Sequence, residues 1–170
     1  MAYIDILPLA TMKTYLRIDD TQNETDAEIT SMINSAFRHI EKSTNIIVSR
    51  QATKEYVVTN NYVRVYDFPI NDVVKGIDDD GVDVALTYKT NYYKLEKHLY
   101  TLYHGIDSDA VKLVLDVGYV DEGDVPDDLV TLAKEIVKAM YYEEETDKSF
   151  HEMLSPLANR ILEQNRRHLI

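Results

Sequence analysis

Between residues 29 and 40 the apolar side chains fall at Ile29, Met32, Ile33, Ala36, Phe37 and Ile40. Steps of three and one put all six on one face of an α-helix, and a stripe this continuous is stable only when another element covers it. A second stripe supplies the cover. Leu129, Leu132, Ala133, Ile136, Val137, Met140 and Tyr141 repeat the same period behind Pro126 and the acidic pair Asp127-Asp128, which suits a helix N-terminus. The two stripes predict two long helices packed together, with Phe37 and Ile136 near the middle of their shared core. Thr25 and Glu28 are spaced as a capping box for the first helix. A shorter helix is predicted from Pro8, with Leu9, Met12, Tyr15 and Leu16 on one face and a loop over 19–24 behind it. A last helix starts near Ser155-Pro156 and carries Leu157, Ala158, Ile161 and Leu162.

Between the long helices the period falls to two. β-Branched and aromatic residues mark strands over 55–59, 62–68, 82–88 and 110–119, whereas 92–103 fits either strand or helix. Asn60-Asn61 and Asp80-Gly81 are turn pairs and predict two β-hairpins. The expected architecture is α+β and mainly helical: two long packed helices of antiparallel type, a β-hairpin-rich insertion between them, and a C-terminal helix. One domain spans 1–170 in this reading, helical over 8–45 and 126–165, with the insertion over about 51–119 and a basic tail over 165–170.

Charge then limits the partners. Thirty acidic against eighteen basic residues leave a formal charge of −12, which makes a naked polyanion a poor ligand. A hydrophobic content of 45% excludes disorder driven by low hydrophobicity. The absence of cysteine excludes a disulfide framework, a thiolate metal site and a cysteine nucleophile. The first residues carry neither a basic leader nor a long apolar run, and charges interrupt every apolar run before the ~18 residues of a membrane span. The expectation is a soluble protein made in the cytoplasm.

Residues that could carry chemistry do not converge. His39, His98, His104, His151 and His168 lack metal-type spacing, and His151-Glu152 has Ser155 where a zinc helix needs its second histidine. No glycine-rich phosphate loop is present. Asp78-Asp79-Asp80 and Asp121-Glu122-Gly123-Asp124 could offer oxygens to a hard cation, yet neither has the alternating EF-hand spacing. The first is more simply a solvated hairpin tip, and the second precedes a helix N-terminus, where carboxylates are favoured anyway. No catalytic, cofactor or metal residue is therefore assigned, and the chain is not expected to be an enzyme. The alternatives are a small acidic enzyme or metal-binding domain built from carboxylates such as Asp116, Asp121 and Asp124, or a generic helical adaptor.

Two groups of residues suggest contact surfaces. Thirteen tyrosines and no tryptophan make Tyr100, Tyr103 and Tyr142 candidates for a subunit interface, although strands favour tyrosine without any partner. At the C-terminus, Leu157 and Ile161 combine with Arg160, Arg166 and Arg167. That pattern fits docking on an acidic neighbour, and it equally fits a helix packed on its own domain with a frayed tail.

The order of motifs resembles the head-tail connector, or head-completion adaptor, proteins of long-tailed bacteriophages and prophages. Met12-Lys13-Thr14-Tyr15-Leu16-Arg17-Ile18-Asp19 is similar to the family's opening L-K-x-Y-L-R-I-D. Thr25-Asp26-Ala27-Glu28-Ile29 follows, and Ile40-Glu41-Lys42-Ser43-Thr44-Asn45 resembles Y-I-E-x-x-T-G with asparagine in place of glycine. Val117-Gly118-Tyr119 and Val125-Pro126-Asp127-Asp128-Leu129 resemble the entry into the second long helix, and Tyr141-Tyr142-Glu143-Glu144 its close. The resemblance implies a non-catalytic virion neck protein, forming a ring, commonly twelvefold, beneath the portal protein. Such a ring completes the head after DNA packaging, extends the DNA channel and docks the stopper or tail. Duplex DNA would pass through the lumen without specific binding, which an acidic wall favours.

Overall fold

The computed structural model describes residues 1–58, 62–86, 92–95, 100–104, 111–143, 152 and 154–166, with backbone alone for 62–64, 92–95, 100–104 and 143. By their internal contacts these residues form two compact units, one from Met1–Ser49 with Tyr119–Arg166 and the other from Arg50–Gly118.

The first unit is helical. Helices α1 (Tyr3–Ile6), α2 (Leu9–Leu16) and α3 (Asp26–Thr44) precede the excursion into the other unit, and α4 (Asp127–Glu143) and α5 (Pro156–Asn165) follow it. The chain leaves and returns at adjacent points, where Ser49 and Tyr119 form a parallel bridge. The apolar stripes of α3 and α4 bury Ile29, Ile33, Phe37 and Ile40 together with Leu129, Leu132, Ile136 and Val137 in one cluster. Helix α5 adds Ala158 and Ile161 to it. Ser155 caps α5, its Oγ accepting from the Ala158 N–H at 3.1 Å with Pro156 next in the chain. Helix α3 ends at Asn45, whose φ of 59° lies in the left-handed region that glycine or asparagine tolerates best.

The capping box predicted at Thr25 is absent. Thr25 has φ −97° and ψ 0°, a helical conformation that turns its hydroxyl away from the exposed amides of the first turn. Its Oγ1 is buried and makes no hydrogen bond among the described residues.

The second unit is a β-structure. Strands β1 (Gln51–Val58), β3 (Ile70–Ile77), β4 (Asp83–Val84) and β7 (Val111–Val117) form an antiparallel sheet in the order β1-β7-β3-β4. Strands β2 (Tyr62–Val65), β5 (Tyr92–Leu95) and β6 (Tyr100–His104) form a three-stranded sheet in the order β2-β6-β5. The expected architecture of two long helices with a hairpin-rich insertion is thereby corrected. The chain is α+β with a four-stranded antiparallel sheet whose central pairings are long-range. Strands β1 and β2 are neighbours in the chain but belong to different sheets. The cause lies in β7, where Leu113, Val114, Leu115, Asp116 and Val117 are all buried. A strand buried on both faces takes a central place, here between β1 and β3, and turn residues elsewhere cannot select its partners.

Only the turn at Asp80-Gly81 closes a hairpin between consecutive strands of the four-stranded sheet. Gly81 takes φ +80°, and the Asp78 Oδ1 accepts from the Val82 N–H at 2.7 Å. Asp78 thus serves the turn. Residues 87–88 of the predicted 82–88 strand lie outside the described residues.

Candidate functional site

The residues that carry the connector resemblance do structural work in the helical unit. Lys13 is only 3% exposed, and its Nζ donates to the Asp20 carbonyl at 3.1 Å, the Gln22 carbonyl at 2.7 Å and Asp26 Oδ1 at 2.9 Å. One buried ammonium therefore fastens the 19–26 connection to α2. Arg17 closes α2 with φ 61°, and the following Ile18 N–H returns to the Lys13 carbonyl at 2.9 Å. Asp19 Oδ1 accepts from the N–H and hydroxyl of Thr21 at 2.9 and 2.6 Å, which holds its carboxyl below the usual range.

Glu41 performs the corresponding task at the far end of α3. Its Oε1 accepts from the N–H groups of Val48 and Ser49 at 2.7 and 3.1 Å, and its Oε2 from the Tyr3 hydroxyl at 2.8 Å. Tyr3 stacks on Phe37 with ring centroids 5.2 Å apart. Burial first, and then the Glu41 carboxylate, push the Tyr3 phenol well above its ordinary value. Tyr15 of α2 donates to Glu135 of α4 and stands 5.9 Å from the Lys138 ammonium; burial and Glu135 raise its phenol to about 12.

In the β unit, Asp116 is 7% exposed and receives Arg50 in a fork, with Nε at 3.0 and 3.2 Å and Nη2 at 2.5 Å from its oxygens. Asn71 Nδ2 adds a contact at 3.3 Å and also donates to the Gly118 carbonyl at 2.8 Å. The Arg50 bonds hold the Asp116 carboxyl low against the opposing effect of burial. This carboxylate is committed to a guanidinium and a side-chain amide of its own unit. Among the described residues no three His, Asp or Glu side chains are grouped to hold a metal ion, and no helix is long and apolar enough to cross a membrane.

The contact residues expected from sequence separate into distinct environments. On α5, Leu157 is 56% exposed and Arg160 is exposed, whereas Ile161 is buried in the cluster shared with α3 and α4. Tyr142 is half-buried, packs against that cluster, and meets Tyr141 edge to face at 5.2 Å. The side chains of Tyr100 and Tyr103 lie outside the described residues, as do Arg167 and the rest of the tail beyond 166.

Arg166 stands at a cleft that the sequence did not reveal. His39, Lys42 and Ser43 from the end of α3 face Leu162 and Arg166 across a space of about 360 Å³. Glu163 of α5 stands 3.6 Å from Arg166, which caps the C-terminus of that helix. Lys42 has no ion-pair partner among the described residues. Arg38 and Lys42, one turn apart on the polar face of α3 in so acidic a chain, were the available signal.

The described chain is α+β in fold, with an ion pair to a largely buried side chain in each unit. Solved structures share that fold. A chain in the neck of an empty gene transfer agent (GTA) particle, computed with C6 symmetry, is 17% identical with a TM-score of 0.72, the match covering 100% of this chain and 94% of that one. A chain from the virion of a native GTA particle is 16% identical with a TM-score of 0.66, over 97% of this chain and 91% of that one. A chain in the native GTA neck computed with C12 symmetry is 16% identical with a TM-score of 0.62, over 96% and 93%. No protein-family description and no curated protein matches the sequence.

Proposed function

We propose that this chain is a structural neck protein of a phage-like particle, forming a ring beneath the portal that completes the filled head and receives the stopper or tail. The observation that carries the reading is a fold match spanning the whole chain to neck chains of GTA particles, resolved there with C6 and C12 symmetry. The connector-like motifs agree with it: Lys13 ties α2 to α3, Glu41 ties α3 to its flanking segments, and Arg17 and Asn45 close the two helices. A charge of −12 per subunit favours a lumen through which duplex DNA slides without being gripped. The reading needs no catalytic residue or cofactor. Leu157 and Arg160, exposed on α5, together with Arg167, are the proposed contacts to an acidic portal surface.

Deleting the gene from a particle-producing host tests this function. Packaged heads separate from free tails are the expected product, restored to whole particles by the gene in trans. Normal tailed particles from the deletion would refute the neck assignment.

A further inference from the structure

We propose that the basic cleft between α3 and α5 receives the acidic turn 121–124 of a second copy of this chain, forming the seam between adjacent ring subunits. The inference rests on the ring reading above and adds the residues that close it. A head-to-tail ring needs two different complementary patches on every subunit. Both patches lie on the helical unit. One is the cleft, where Lys42 and Arg166 place two cations beside His39 and Ser43. The other is the single-turn 3-10 helix Glu122–Asp124, introduced by Asp121.

Two backbone hydrogen bonds close that turn, the Asp124 N–H on the Asp121 carbonyl at 3.1 Å and the Val125 N–H on the Glu122 carbonyl at 3.3 Å. Asp121, Glu122 and Asp124 are all exposed, and their carboxylates have no hydrogen bond or ion pair among the described residues. Three exposed carboxylates on a hydrogen-bonded turn are a natural counterpart for two under-neutralised cations. In a chain of net charge −12, such local pairing lets subunits that repel overall choose one orientation. A space of about 360 Å³ admits two carboxylate side chains with some of their water.

The test uses full-length protein assembled on its portal from equal amounts of 14N and 15N subunits. A carbodiimide couples lysine to carboxylate without a spacer, and mass spectrometry then separates links between subunits from links within one. Mixed-isotope peptides joining Lys42 to Asp121, Glu122 or Asp124 are expected. The paired variants Lys42→Glu/Arg166→Glu and Asp121→Lys/Glu122→Lys/Asp124→Lys should each lose at least about tenfold in assembly, since like charges then face each other. Mixing the two variants should restore rings, because reversed charges again meet. The cross-link on the parent protein decides the matter even if a variant folds poorly. Rings whose Lys42 links only elsewhere, or not at all, would overturn the seam while leaving the ring reading intact. A parent protein that forms no ring would overturn both.

Discussion

Lys13 and Asp26 form an ion pair at 2.9 Å with the ammonium almost fully enclosed, so that the first turn of α3 is tied to the middle of α2. The pair occupies the place where a threonine cap was expected. Replacing Lys13 by Met keeps the length of the side chain but leaves two carbonyls and a carboxylate without their donor. A loss of about 3 kcal/mol is expected from uncompensated buried acceptors, read as a lower urea midpoint, with earlier proteolysis within residues 19–25. An unchanged midpoint would show that water replaces the ammonium at no cost.

Glu41 should matter as much at the other end of α3. Glu41→Ala removes the acceptor for two amides and a phenol, and should destabilise the helical unit by about 2–3 kcal/mol. Glu41→Gln should lower the Tyr3 phenol towards its ordinary value, seen by ultraviolet titration. A phenol raised in the folded state contributes stability that is intact below the unfolded value near 10 and is lost as pH climbs through the folded value. The parent should therefore lose stability more steeply than the Gln variant in that alkaline window.

Phe37 and Ile136 are fully buried in the one cluster that joins α3 and α4. Phe37→Ala and Ile136→Ala should each cost about 3–4 kcal/mol through lost transfer energy and an incompletely collapsed cavity. Melting within a degree or two of the parent would refute the shared core.

Asp116 gives the β unit an acid-sensitive clasp. Its folded value is depressed, so its contribution is present in full above the unfolded aspartate value of about 3.9 and is lost as pH falls from there through the folded value. Asp116→Asn should cost about 2 kcal/mol at pH 7, with the gap to the parent closing as pH drops below about 4. A gap that stays constant with pH would mean that the loss is steric.

How far the sequence revealed this protein depends on the range of the interactions. The stripes of α3 and α4 and the start of α5 at Ser155-Pro156 are local patterns, readable because a helix repeats its burial every three or four residues. The sheet was misread because its pairings join residues such as Tyr56 and Leu113, and no local turn pair encodes such a partner. Lys13 entered only as a letter of the opening motif, and its burial follows from the path of the 19–26 loop. The cleft of Lys42 and Arg166 was hidden for the same reason, its two sides lying at opposite ends of the helical sequence.

The central claim is that the subunit builds a ring under a portal, and electron microscopy of the purified protein, alone and mixed with its portal, tests it most directly. The account predicts closed rings of fixed subunit number coaxial with the portal. Separate single subunits on both grids, with bare portals beside them, would contradict it.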